Sequence, residues 1–163
     1  MRHTISVLVE NKPGVLARIS SLFSARGFNI DSLAVGETED PQTSRMTIVV
    51  KGDDSVLEQI TKQLNKLIDV IKVSDFTDIK YVERGLALIR INAGKANRGE
   101  IIELANIFRT RIIDIASDSL MLEVTGDKDK LEAFIKLVSV YGIKEMCRTG
   151  EIALARGDNK RGE

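Results

Sequence analysis

HTISVLVENKPGVLARISSLFSARGFNIDSL, residues 3–33, changes its hydrophobic period twice, and those changes decide the fold. Up to Glu10 the apolar residues Ile5, Val7 and Val9 alternate, with Leu8 added, as on a strand with one strongly buried face. Pro13 and Gly14 end that strand. Val15, Leu16, Ile19, Leu22 and Phe23 then follow helical spacing, and Gly27 stands where a left-handed C-terminal cap belongs. A second strand is expected from Phe28 and Ile30 through Leu33 and Val35, with an irregularity between them. Turn residues at DPQTS (40–44) lead into its hairpin partner, SRMTIVVKG (44–52). Residues 54–69 carry a helical stripe of Val56, Leu57, Ile60, Leu64 and Leu67, and VIKVSDFT (70–77) closes the half as a strand, giving βαββαβ.

The same order then repeats. GLALIRINA (85–93) reads as a strand, residues 98–110 as a helix with Ile101, Ile102, Leu104, Ala105 and Phe108 apolar, and RIIDIAS (111–117) with SLMLEVTG (119–126) as a hairpin. Residues 127–142 are helical through Leu131, Phe134, Ile135 and Val138, and 143–156 form one last strand. An α+β protein of two tandem ferredoxin-like βαββαβ domains is the simplest fold for this pattern. The expected division is 1–77, a polar connector at 78–84, and 85–163, with the tail GDNKRGE frayed. Each unit has a four-stranded antiparallel sheet with two helices on one face, the other face or edge being left available. Units of this size bury modest cores, so pairing with a second copy is expected, a dimer at least.

Composition removes several classes of function. Lys plus Arg equals Asp plus Glu at 24 each, so no net positive field draws nucleic acid or an anionic membrane. An aromatic share of 4% without Trp argues against base- or sugar-stacking platforms. Cys147 and His3 stand alone in their types, which rules out an internal disulfide and a Cys/His zinc site within one chain, and neither has a visible catalytic triad. Cys147 is expected to be a buried strand residue. No signal peptide and no apolar run of roughly 20 residues is seen, so a reducing cytoplasm is the expected location. Glycine-rich phosphate motifs are missing, Gly126-Asp127 and Gly157-Asp158 lack the second glycine of the thiamine enzymes' diphosphate motif, and Glu100 with Glu103 reads as a solvated helix face.

What remains is the seam at residues 11–14. Gly14 lies at the start of the first helix, where backbone N–H groups lack intrahelical partners and the macrodipole is positive, a place suited to a carboxylate. Without a Cβ a ligand approaches the main chain closely, and Pro13 stiffens the entry without removing a needed donor. The Asn11 amide offers oxygen to an ammonium and nitrogen to a carboxylate, as an α-amino acid requires. From spacing alone the same residues read equally as punctuation between strand and helix, and Asp31 reads as a turn residue. If the first loop and second strand share an edge, Asn29 and Ile30 complete a pocket, most simply across a dimer interface.

These residues carry a family resemblance. VLVENKPGVLARISSLFSARGFNIDSL, then DPQTSRMTIVVKGD and VLEQITKQLNKLIDVIKV, resemble the regulatory (small) subunit of acetohydroxyacid synthase, or acetolactate synthase, whose N-terminal half is an ACT domain. The match continues more loosely through VERGLALIRI, IFRTRIIDI and the terminal ARGD. ACT domains often have Asp where Asn11 stands, and Asn resembles this subfamily. The resemblance implies a non-catalytic subunit that binds and activates the thiamine-diphosphate-dependent catalytic (large) subunit and confers feedback inhibition by a branched-chain amino acid, usually valine. It places Asn11, Gly14, Val15 and Leu16 on the effector from one chain and Asn29 and Ile30 from its neighbour. It implies no cofactor in this chain, with thiamine diphosphate, Mg and FAD on the partner. Val15, Leu16 and Ile30 are expected to line an apolar pocket for the effector side chain, each buried methylene contributing about 0.8 kcal/mol. The competing classes are a free-standing amino-acid sensor acting on another enzyme and a ligand-responsive transcription regulator; no helix-turn-helix pattern precedes the first strand.

Overall fold

The computed structural model describes residues 1–158, so only the first two residues of the GDNKRGE tail fall within it. Two compact units form, one of Met1–Val82 joined by the segment from Ile152 onward, the other of Glu83–Glu151. The first contains β1 (Arg2–Glu10), α1 (Val15–Ala25), β2 (Ile30–Glu37), β3 (Thr43–Lys51), α2 (Asp54–Asn65) and β4 (Val70–Asp75). Strand order is β2-β3-β1-β4 with every neighbour antiparallel, the order of a βαββαβ ferredoxin-like sheet. Ile5, Val7 and Val9 of β1 and Met46, Ile48 and Val50 of β3 point to one face, where Val15, Ile19 and Phe23 of α1 and Leu57, Ile60 and Leu64 of α2 close the core.

Local chemistry sets the element ends. Gly27 (φ 69°) stops α1: its N–H donates to the Ser24 carbonyl and that of Phe28 to the Phe23 carbonyl, the paired bonds of a Schellman cap. Asp53 starts α2 by accepting from the Val56 N–H at 3.0 Å. This helix is shorter than its periodicity suggests. After Asn65, the Lys66 and Leu67 N–H groups bond three residues back, to Gln63 and Leu64, and the tightened turn leaves Ile68 95% exposed.

The second unit repeats the plan with β5 (Tyr81–Asn92, whose first two residues still belong to the first unit), α3 (Arg98–Ile107), β6 (Arg111–Ile115), β7 (Ser119–Gly126), α4 (Lys128–Ser139) and β8 (Ile143–Arg148), in the order β6-β7-β5-β8. Ala87, Ile89 and Ile91 pack with Leu120, Leu122 and Val124 beneath Ile101, Ala105, Leu131, Phe134 and Val138. At the end of α3 the left-handed position is taken by Arg109 (φ 53°), whose N–H donates to Asn106 while Thr110 donates to Ala105.

Four expectations are corrected. The supposed final strand 143–156 is two strands: β8 ends at Arg148, and β9 (Ile152–Ala155) returns to the first unit and pairs with β5. There the Arg156 N–H donates to the Lys80 carbonyl at 2.9 Å and the Ala153 N–H to Thr47 Oγ1 at 3.3 Å. The supposed connector 78–84 already belongs to β5 from Tyr81 onward, so neither 1–77 nor 85–163 delimits a compact unit. The free sheet face expected of the first unit is also covered: Thr4, Ser6, Thr47 and Val49, on the side away from the helices, are all at most 3% exposed, and β9 touches both β1 and β3. Cys147 is exposed on β8, not buried, since β8 is an edge strand whose last residues leave the core. His3 is fully buried, with Nε2 3.1 Å from the Gly52 carbonyl and Nδ1 3.0 Å from Thr77 Oγ1, a pin within the first unit. None of the helices is long and apolar enough to cross a membrane among the described residues.

Candidate effector site

The seam after β1 is built by backbone conformation. Gly14 caps α1 in the left-handed region (φ 84°, ψ −7°), and no side chain bonds the helix's first N–H groups. An anion is therefore met by main-chain donors at the positive end of the helix dipole, with no acidic residue in the first turn to oppose it. The helix proper begins with the Arg18 N–H donating to the Gly14 carbonyl at 3.0 Å.

Asn11 is held by the β2–β3 hairpin. Its N–H donates to the Gln42 carbonyl at 2.7 Å, and its side-chain Nδ2 donates to Pro41 O at 2.9 Å and Glu37 Oε1 at 3.2 Å. The amide nitrogen is thus engaged within the chain, and Oδ1 is the atom left to receive an ammonium. Beside it, Lys12 Nζ pairs with Glu10 at 2.7 Å, and that hydrogen bond holds the lysine pKa above its ordinary value. Asn11 and Gly14 are exposed and Leu16 is 44% exposed, so all three are accessible.

Val15 departs from expectation. Its side chain is 3% exposed within the core, so it offers a ligand its main chain and no pocket wall. Glu37 and Arg18 are the residues missed in the sequence. Glu37 reaches Asn11 only through the hairpin return. Arg18 pairs through Nε (2.8 Å) and Nη2 (2.6 Å) with Asp69, while Nη1 lies 3.0 Å from the point a Cβ on Gly14 would occupy.

Asn29 and Ile30 are not brought to this seam within one chain. Ile30 pairs with Val50, which pairs with His3, whereas Asn11 follows Glu10. The two groups lie at opposite ends of the sheet, about 23 Å apart at ~3.3 Å per strand residue. The expectation that loop and second strand share an edge therefore fails within the chain, because β1 and β2 run the same way with β3 between them. Asn29 is exposed just before β2 and donates to Asp31 Oδ1 at 2.8 Å; Asp31 also pairs with Lys51 at 3.1 Å. Ile30 is half-buried against the core. No group of three or more His, Cys, Asp or Glu side chains gathers as metal ligands would, among the described residues.

A βαββαβ unit with a glycine-bared helix start after its first strand, followed by a second unit of the same plan, defines a two-domain protein of the ACT type. Residues 5–72 match the family described as the acetohydroxyacid synthase small subunit-like ACT domain, and residues 84–157 that described as the small subunit of acetolactate synthase. The chain is 62% identical over 160 residues to the probable acetolactate synthase small subunit of Archaeoglobus fulgidus, covering 98% of this chain and all of that one. It is 56% identical over 155 residues to the acetolactate synthase small subunit of Mycolicibacterium smegmatis, covering 95% and 91% of the two chains. The crystal structure of the Thermotoga maritima acetolactate synthase small subunit superposes with a TM-score of 0.88 at 44% identity, covering 96% and 98%. The chain belongs to the acetolactate synthase small-subunit family.

Proposed function

We propose that the chain is a non-catalytic regulatory subunit in branched-chain amino acid biosynthesis, which binds and activates the acetolactate synthase catalytic subunit and makes it sensitive to valine. In this reading the protein is cytoplasmic, and thiamine diphosphate, Mg and FAD belong to the catalytic partner. The observation that carries the effector site is the α1 N-terminus: Gly14 is left-handed and exposed, no side-chain cap is present, and Asn11 is fixed beside it by Pro41 and Glu37. The effector carboxylate is held by the main chain at Gly14, Val15 and Leu16, and its ammonium by Asn11 Oδ1 with the Glu37 carboxylate near.

Asn29 and Ile30 enter from a second copy. β2 is an edge strand, and it runs from Ile30 to Glu37, the residue that touches Asn11. Two copies joined antiparallel along β2 about a two-fold axis place the Ile30 end of each against the Glu37 end of the other. Each homodimer then holds two effector sites, each made from both chains. Effector binding favours the arrangement of the paired sheets in which the catalytic subunit is less active, and a coupling of about 1–3 kcal/mol suffices.

The test is a calorimetric titration of the protein with valine, leucine and isoleucine, followed by inhibition assays of its complex with the catalytic subunit. Valine binding is expected, and Gly14→Asp is expected to remove inhibition while keeping activation, since the added carboxylate repels the ligand's own. A Gly14→Asp complex as valine-sensitive as the wild type contradicts the site, and failure of the wild type to bind the catalytic subunit favours a free-standing sensor.

A further inference from the structure

The outer faces of α1 and α2 enclose a shallow groove of about 490 Å³, lined by Ala17, Arg18, Leu22, Arg26 and Lys66 among others. No Asp or Glu lines it, and α1 contains no acidic residue at all. Arg26 and Lys66 have no ion-pair partner among the described residues, although the chain as a whole balances 24 basic against 24 acidic side chains. Between these cations the floor is apolar, through Ala17, Leu22 and Leu67, and Ile68 follows Leu67 almost fully exposed. Cations without an ion-pair partner beside a solvent-exposed apolar strip suit a ligand that brings both carboxylates and apolar side chains. A small inorganic anion uses only the first, and a second copy of this neutral chain brings no net negative charge.

The groove is also tied to the effector seam. Arg18 lines it, yet the same guanidinium holds Asp69 and lies 3.0 Å from the Cβ position of Gly14. A bulky group added at Gly14 would therefore press on a cation of the groove.

We propose that this groove is the docking surface for an acidic, apolar-anchored segment of the catalytic subunit, with Arg18 shared between docking surface and effector seam. The inference rests on the regulatory-subunit reading. Its test uses the full chain carrying Arg26→Glu and Lys66→Glu, both at exposed positions, so that the fold is kept and checked by circular dichroism and by unchanged valine affinity. Binding to the catalytic subunit is followed by titrating its activation at several salt concentrations, with self-association measured in parallel by sedimentation.

The expected result is at least a 10-fold rise in the concentration for half-maximal activation, with a flatter salt dependence than the wild type, since two charge contacts have been removed. If the wild type activates and the double variant activates at the same concentration, the groove proposal is overturned while the regulatory reading stands. If the wild type neither binds nor activates, the regulatory reading fails first. A variant altered only in self-association assigns the groove to a second copy, and inorganic phosphate that displaces nothing from the variant but blocks wild-type activation assigns it to a small anion; either result overturns the proposal.

Discussion

Gly14 and Arg109 occupy the same region of backbone space with opposite economy. At Gly14 the left-handed turn is free of Cβ strain and leaves the helix start open; a substituent there would also press on Arg18 Nη1. At Arg109 the same conformation is forced on a side chain by the two Schellman bonds that end α3. Arg109→Gly is therefore expected to stabilise the second unit by about 0.5–1 kcal/mol, read as a rise in its urea midpoint with the slope unchanged. An unchanged or lowered midpoint contradicts the strain assigned to Arg109. Residue chemistry also explains what was legible here. Gly27 announces its cap by its type, whereas Arg109 gives no such sign, and the end of α3 was accordingly read three residues too late.

At the scale of elements, alternation and helical spacing were enough to order eight strands and four helices into two repeats of one plan, because each buries one face against the same kind of core. They were silent on β9. Four residues, IALA, look like the continuation of any strand, and only the three-dimensional return shows that Ala153 is 4% exposed over Thr47. Covering the polar and apolar side chains of Thr4, Ser6, Thr47 and Val49 makes β9 a stabilising element of the first unit although it is last in sequence. Removing the chain from Ile152 onward is expected to lower amide-exchange protection in β1 and β3 while leaving β5 and β7 protected beyond Gly85. Loss of protection confined to the second unit contradicts this assignment. For the same reason a fragment ending near Asp78 lacks both β9 and Tyr81, whose ring packs against that of Phe76 at a tilt of 36° with centroids 5.3 Å apart.

For the whole molecule the question is how many chains make one effector site. The exposed break between β1 and α1 at Asn11, Gly14 and Leu16 was legible because a proline, a glycine and an amide cluster at a change of period. The distance to Asn29 and Ile30 was not, since strand order decides it and strand order is a property of the sheet. With about 23 Å between the two groups in one chain, a shared site needs two chains.

Subunit mixing tests this most directly. Chains carrying Gly14→Asp and chains carrying Asn29→Ala, each expected to lose valine binding by itself, are unfolded together, refolded as mixed dimers, and titrated with valine by calorimetry. In a mixed dimer one site collects both lesions and the other receives neither, so binding with wild-type affinity is expected to return at about one site per mixed dimer. If both residues served a site within a single chain, every site in the mixture would carry one lesion, and no wild-type binding would reappear.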